Sequence, residues 1–207
     1  MKVPATPPDA FRTEQRHLRS YSGLLWRVYR TEPPHALAWN ELRHYGPIRK
    51  MRFDPHPPPA DYYTDIGVMY AATDALTALG EVYQQRREIT RSQGGPALVA
   101  WQPSRELVLL DLTTNWPVLN GAAASIMMGP KRHTQAWARA IYERLGDQVD
   151  GLWSQSAITN QPSLTLFSRT EVVPAFENRP SFHAPLWDVT ADPIVKYAAE
   201  ELKYKVL

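Results

Sequence analysis

Short apolar runs recur along this chain at unequal spacing, and proline-rich stretches hold them apart. Leu24 to Tyr29, the apolar strand of DIGVMYAA ending at Tyr70, PALVAWQP and RELVLLDLTT each have the length and composition of a strand. MRFDPHPPP, Met51 to Pro59, is neither helix nor central strand, because every proline removes a backbone donor. With the rest of 31–60 it reads as a long surface loop, a kind of segment that often carries function.

Two helices stand out. TDALTALGEVYQQRRE has Thr73 or Asp74 as N-cap and an apolar stripe of Leu76, Leu79, Val82 and Tyr83, with Glu81 beside it. KRHTQAWARAIYERLG places Trp137, Ile141 and Leu145 on one side and stops at Gly146. A short helix capped by Asp9 and a helical tail from DPIVKYAAEELKYKVL are also expected. PALVAWQP and RELVLLDLTT are expected to pair as a hairpin, SLTLFSRTEVVPAF to give two short strands, and 115–130 to be irregular. Helices and strands do not alternate regularly, so the fold class is α+β and not a doubly wound sheet. GxGxxG and GxxxxGK[ST] are both missing, which removes support for the common nucleotide folds.

A length of 207 residues with 43% hydrophobic content suits one globular domain. Charge is nearly balanced, 23 Lys+Arg against 21 Asp+Glu, so net charge supports no strong claim about nucleic acid. The first quarter is nonetheless rich in arginine, and an anionic ligand there would find donors. The chain has no cysteine, which excludes disulfides, thiolate zinc sites and a cysteine nucleophile. Its six histidines form no tight ligand pattern, so no metal is expected. No apolar run serves as a signal peptide or membrane span, and a cytoplasmic protein is expected.

Five residues in order, Arg27, Arg52, Tyr70, Glu81 and Ser156, are the candidates for chemistry. Singly, each has a structural explanation. Arg27 lies inside an apolar strand, where burial without an anionic partner is costly, so a structural carboxylate would explain it. Arg52 can be a solvated loop residue, Tyr70 a core tyrosine, Glu81 a helix-edge carboxylate and Ser156 a turn serine.

Together the segments WRVYR, RFDP (Arg52–Pro55), GVMYAATDALTALGEV and DGLWSQSA resemble the blocks of the RES domain, over roughly Leu24 to Phe176. Tyr70-Ala71-Ala72 leading to Ala78-Leu79-Gly80-Glu81 matches its Y-x-A and A-x-x-E pattern. The match departs at Ser163, where the family commonly has Asn, and at Gln155 before Ser156. The resemblance implies an ADP-ribosyltransferase-like split, mostly antiparallel sheet, with 1–20 an N-terminal extension, 21–176 the RES domain and 177–207 a C-terminal extension packed on it. It implies a toxin that cleaves the nicotinamide–ribose bond of NAD+, with water or inorganic phosphate as acceptor and no resident cofactor. By resemblance Arg27 and Arg52 grip the pyrophosphate and Tyr70 stacks on nicotinamide. Glu81 is the central catalyst, and Ser156 bonds the ribose or a phosphate. The implied partner is an Xre-type helix-turn-helix antitoxin in a toxin–antitoxin hetero-oligomer, with DNA reached only through it. A protein ADP-ribosyltransferase and a non-catalytic interaction protein are the alternatives.

Overall fold

The computed structural model describes residues 3–207. The chain runs β1 (Leu18–Tyr21), β2 (Leu25–Arg30), β3 (Tyr45–Gly46), β4 (Asp61–Tyr62), β5 (Val68–Ala72), α1 (Ala75–Tyr83), β6 (Glu88–Ile89), β7 (Pro96–Trp101) and β8 (Leu107–Asp111). It continues through α2 (Trp116–Leu119), α3 (Lys131–Leu145), β9 (Gly151–Gln155), β10 (Pro162–Phe167), α4 (Arg169–Val172), β11 (Phe182–Pro185), α5 (Asp192–Leu202) and β12 (Lys205–Val206). Eight strands form one sheet in the order β1-β8-β9-β10-β5-β2-β7-β11, antiparallel except where β8 lies beside β9.

The sheet is split at its middle. β2 pairs with β7 along its whole length but meets β5 only where Trp26 faces Ala72. Beyond that point the strands diverge, and the chain before β3 enters the gap. There Arg43 and Val68 exchange backbone hydrogen bonds of 2.9 and 3.0 Å. The inserted segment satisfies strand groups that divergence would leave unpaired.

One face of the sheet carries a single apolar cluster that includes Leu25, Met69, Val99, Trp101 and Leu164. The other face carries two clusters. Trp137 and Ile141 of α3 pack on Leu110 and Leu152, while α1 and α5 pack Leu79 and Val195 on Leu98. Polar side chains lie on the same face between them. Thr165 stands opposite Tyr70, and Ser163 opposite both Ala72 and Ser154. Directly opposed residues share a face, so these form one continuous strip. The apolar clusters are thus separated along a line of small and hydroxyl-bearing side chains, of which Ala72, Ser154 and Thr165 are buried.

Local expectations fail in four places, the first being 115–130, which is not irregular throughout but holds α2 and a 3-10 turn at Ile126–Met128. β7 and β8 do not pair as a hairpin. All six residues of β7 are buried, and it lies between β2 and β11, while β8 lies between β1 and β9. After β10 the chain makes the short helix α4 instead of a second strand, with Thr170 donating to the Phe167 carbonyl at 2.8 Å. No helix forms at Asp9; the first turn is a 3-10 turn at Gln15–His17, and the chain then enters β1. Residues 3–20 are tied to the body by β1 against β8 and by Val3 in the α3 cluster. After residue 176, β11 pairs with β7, α5 packs on α1, and β12 lies parallel to β6. Among the described residues no helix is long and apolar enough to cross a membrane.

Candidate active site

α1 starts where Asp74 caps it, accepting the Thr77 amide at 2.7 Å. The Thr77 hydroxyl bonds Thr159 at 2.7 Å, which ties the helix to the turn after β9. Glycine at position 80 permits this approach: a Cβ there would lie 3.3 Å from Ile158 and 3.4 Å from Leu202. These contacts carry Glu81 to Ser156. The Ser156 hydroxyl donates to Glu81 Oε1 at 2.6 Å, and Gln84 Nε2 donates to Glu81 Oε2 at 2.9 Å.

Ser156 has little left to offer a ligand. Its hydroxyl oxygen already accepts the Ile158 amide at 3.0 Å and the Thr159 amide at 3.3 Å, and the residue is 2% exposed. A hydroxyl has one proton and two lone pairs, so all three are engaged. Ser156 therefore holds the Glu81 carboxylate in one orientation. Ser156→Ala should lower kcat by about tenfold or more with little change in affinity, since it removes one strong hydrogen bond to a charged group. Steady-state kinetics checks this; a pure loss of affinity would return Ser156 to ligand contact.

Arg52 reaches the same place from the loop. Its guanidinium donates to the Gly129 carbonyl at 2.6 Å. Burial lowers its pKa, and the nearby Glu81 carboxylate works in the opposite direction. The charge pair is thus felt across the space between loop and helix. Tyr70 lies on the polar strip, directly across from Thr165. Its ring is half-buried while its hydroxyl is fully buried, without a hydrogen-bond partner among the described residues. Burial, and then the Asp54 carboxylate, push that hydroxyl far above the usual phenol range, so it stays protonated.

Arg27 is placed differently. It stands opposite Val99, on the sheet face away from α1. It is 7% exposed, and its Nη1 donates to the carbonyls of Trp39 and Glu41, each at 2.9 Å. These are neutral acceptors, not the carboxylate that burial suggests. Burial pushes its pKa down to about 10, with Tyr29 and Glu41 opposing. Arg27 ties down the segment inserted in the split and lies apart from the Glu81 group.

The structure therefore joins Glu81 to Ser156, puts Arg52 near enough to Glu81 for their charges to interact, sets Tyr70 on the same sheet face, and leaves Arg27 behind the sheet. Gln84, on the turn after Glu81, escapes sequence reading because a helix-end glutamine has no distinguishing pattern. Ser163, where the family's asparagine would stand, lies 3.1 Å hydroxyl to hydroxyl from Ser154. Among the described residues no group of three or more acidic or histidine side chains is placed to hold a metal.

A split, mainly antiparallel sheet with helices packed on it defines an α+β protein. Residues 24–192 match the RES domain, and the chain belongs to the RES domain family. Among solved structures it is similar to a chain of the M. tuberculosis MbcT-MbcA toxin-antitoxin complex, with a TM-score of 0.56 and 15% identity. That alignment covers 89% of this chain and 93% of the other. Comparison with curated protein sequences gives no match.

Proposed function

We propose that this protein is the toxin of a toxin–antitoxin pair and that it cleaves the nicotinamide–ribose bond of NAD+. The observation that carries the reading is the Glu81 carboxylate, held by Ser156 and Gln84 within reach of the Arg52 charge. Glycosidic cleavage builds positive charge on the ribose, and a fixed carboxylate stabilises it. Nicotinamide leaves as a neutral molecule, so no general acid is required. A carboxylate has about four lone-pair sites. Two are used within the protein, which leaves acceptor capacity for a ribose hydroxyl. Arg52 offers a planar fork of donors to the pyrophosphate. The Tyr70 ring, half-buried on β5, offers a stacking surface.

The acceptor is a small nucleophile, water or inorganic phosphate. In transferases that modify proteins, a polar residue two positions before the catalytic Glu orients the acceptor side chain; here that residue is Leu79, fully buried in the core. Similarity to one chain of a toxin–antitoxin complex supports a partner that blocks the site, and we assign that role to an Xre-type helix-turn-helix antitoxin. DNA contact then comes through the antitoxin, and the setting is the cytoplasm, where NAD+ is found.

Binding tests the reading without turnover. In a Glu81→Gln background, calorimetry should detect saturable NAD+ binding, weakened about 30-fold by adding Arg52→Ala, as expected for one charge-assisted phosphate contact. Absence of saturable binding, or an affinity indifferent to Arg52, contradicts it.

A further inference from the structure

We propose that Arg43, Asp54 and His56 form a buried clasp that positions Arg52 and Tyr70 for the ligand. The inference rests on the NAD+ reading above and assigns that site three positioning residues that contact no substrate.

The clasp closes on one carboxylate. Asp54 and His56 are both 0% exposed. Asp54 Oδ2 accepts Arg43 Nη2 at 2.8 Å and the Ile48 amide at 2.8 Å. Asp54 Oδ1 lies 2.6 Å from His56 Nδ1 and accepts the His56 amide at 3.3 Å. Chain on both sides of Arg52 is thus fastened to a single buried group. Such a pair is rigid because breaking it leaves a charge unpaired out of water. Burial alone would raise the Asp54 pKa, but the His56 bond and the Arg43 charge hold it below the usual carboxylate range. The clasp is therefore complete above that range and loosens only as acid protonates Asp54.

Two features connect the clasp to the site. Phe53, between Arg52 and Asp54, has a left-handed backbone with φ 55° and is 3% exposed within the α3 cluster. A bulky residue holds that conformation only where its surroundings enforce it. The reversal sends Phe53 into the core and leaves Arg52 directed to Gly129 and the Glu81 charge. On the other side, Arg43 is backbone-paired with Val68, two residues before Tyr70, and the Tyr70 hydroxyl feels the charges of both Arg43 and Asp54. Packing at the centre admits no spare atom: a Cβ at Gly46 would fall 2.6 Å from His56 Nδ1. His56 Nε2 and the Tyr70 hydroxyl are both buried without partners among the described residues. Buried polar atoms are almost always bonded, and exceptions concentrate where a protein keeps groups for a task.

A clasp that served only stability would lower activity no more than any equal loss of stability. Asp54→Asn, Arg43→Lys and a remote core variant, Leu107→Ala, separate the two roles. Asp54→Asn should lower kcat/KM for NAD+ about 100-fold, the scale of a misplacement near 1 Å. Exchange of the Ile48 amide should rise about tenfold or more while α3 stays protected. Arg43→Lys, which keeps the charge beside Asp54, should lose less activity than Asp54→Asn. The proposal is overturned if Asp54→Asn loses no more activity than Leu107→Ala at an equal fall in Tm, or if Ile48 exchange is unchanged. Should the wild type release no nicotinamide, the NAD+ reading fails by itself, and the Ile48 exchange alone decides whether the clasp holds the Arg52 loop.

Discussion

Glu81→Gln should lower nicotinamide release about 1,000-fold and leave the protein folded. Gln keeps the shape and can still accept the Ser156 proton, which in the native protein meets Oε1 at 2.6 Å. It lacks the negative charge that opposes cation development on the ribose. Removing one preorganised electrostatic group from a closed site typically costs about 100- to 1,000-fold in rate, up to about 4 kcal/mol. The upper end is expected because Glu81 also balances the partly buried Arg52. Glu81 is half-exposed, so the fold depends on it little. Circular dichroism should show native helix content, and retention of more than about a tenth of the activity would remove Glu81 from the mechanism.

The second large effect concerns stability. Arg27→Ala should lower Tm by about 6 to 12 °C, corresponding to about 3 kcal/mol in a chain of this size. The carbonyls of Trp39 and Glu41 lose their donor, and the vacated guanidinium and stem leave a cavity beside Val99. Affinity for NAD+ in the folded fraction should change by no more than about threefold, because Arg27 lies on the sheet face away from α1. A variant with native Tm and greatly weakened binding would instead place Arg27 at the pyrophosphate.

Much of this architecture is written locally in the chain. The Asp74 cap and the Gly146 stop follow from helix capping and are found, while the α1 stripe is found at Leu79 and Tyr83 but not at Val82, which is 51% exposed. The strand holding Arg27 is likewise found, as β2. What the sequence hides is non-local. The β7 run reads equally well as half of a hairpin or as an inner strand, and burial of all six residues decides for the second. The direction of Arg27 depends on β2 alternation set by Val99, seventy-two residues later. Charge and apolar context marked Arg27 as unusual, yet its partners are backbone carbonyls of a loop, which no residue pattern encodes. The same holds for the clasp: RFDP and the following histidine are legible as a loop, but the fastening of Asp54 to Arg43 and His56 requires the chain to fold back on itself. Glu81 with Ser156 is the reverse case. Their order in the chain resembles a family pattern, and the 2.6 Å hydrogen bond then gives Ser156 a task that the pattern does not name.

The central claim is that residues distant in the chain meet to steady a ribosyl cation, with Glu81 at their centre. Incubating wild type and Glu81→Gln side by side with NAD+, with and without inorganic phosphate, and identifying the products by mass spectrometry tests it most directly. The account predicts free nicotinamide together with ADP-ribose or its phosphorylated form from the wild type, and almost none from Glu81→Gln. Intact NAD+ in both reactions, or equal release from both proteins, would contradict it.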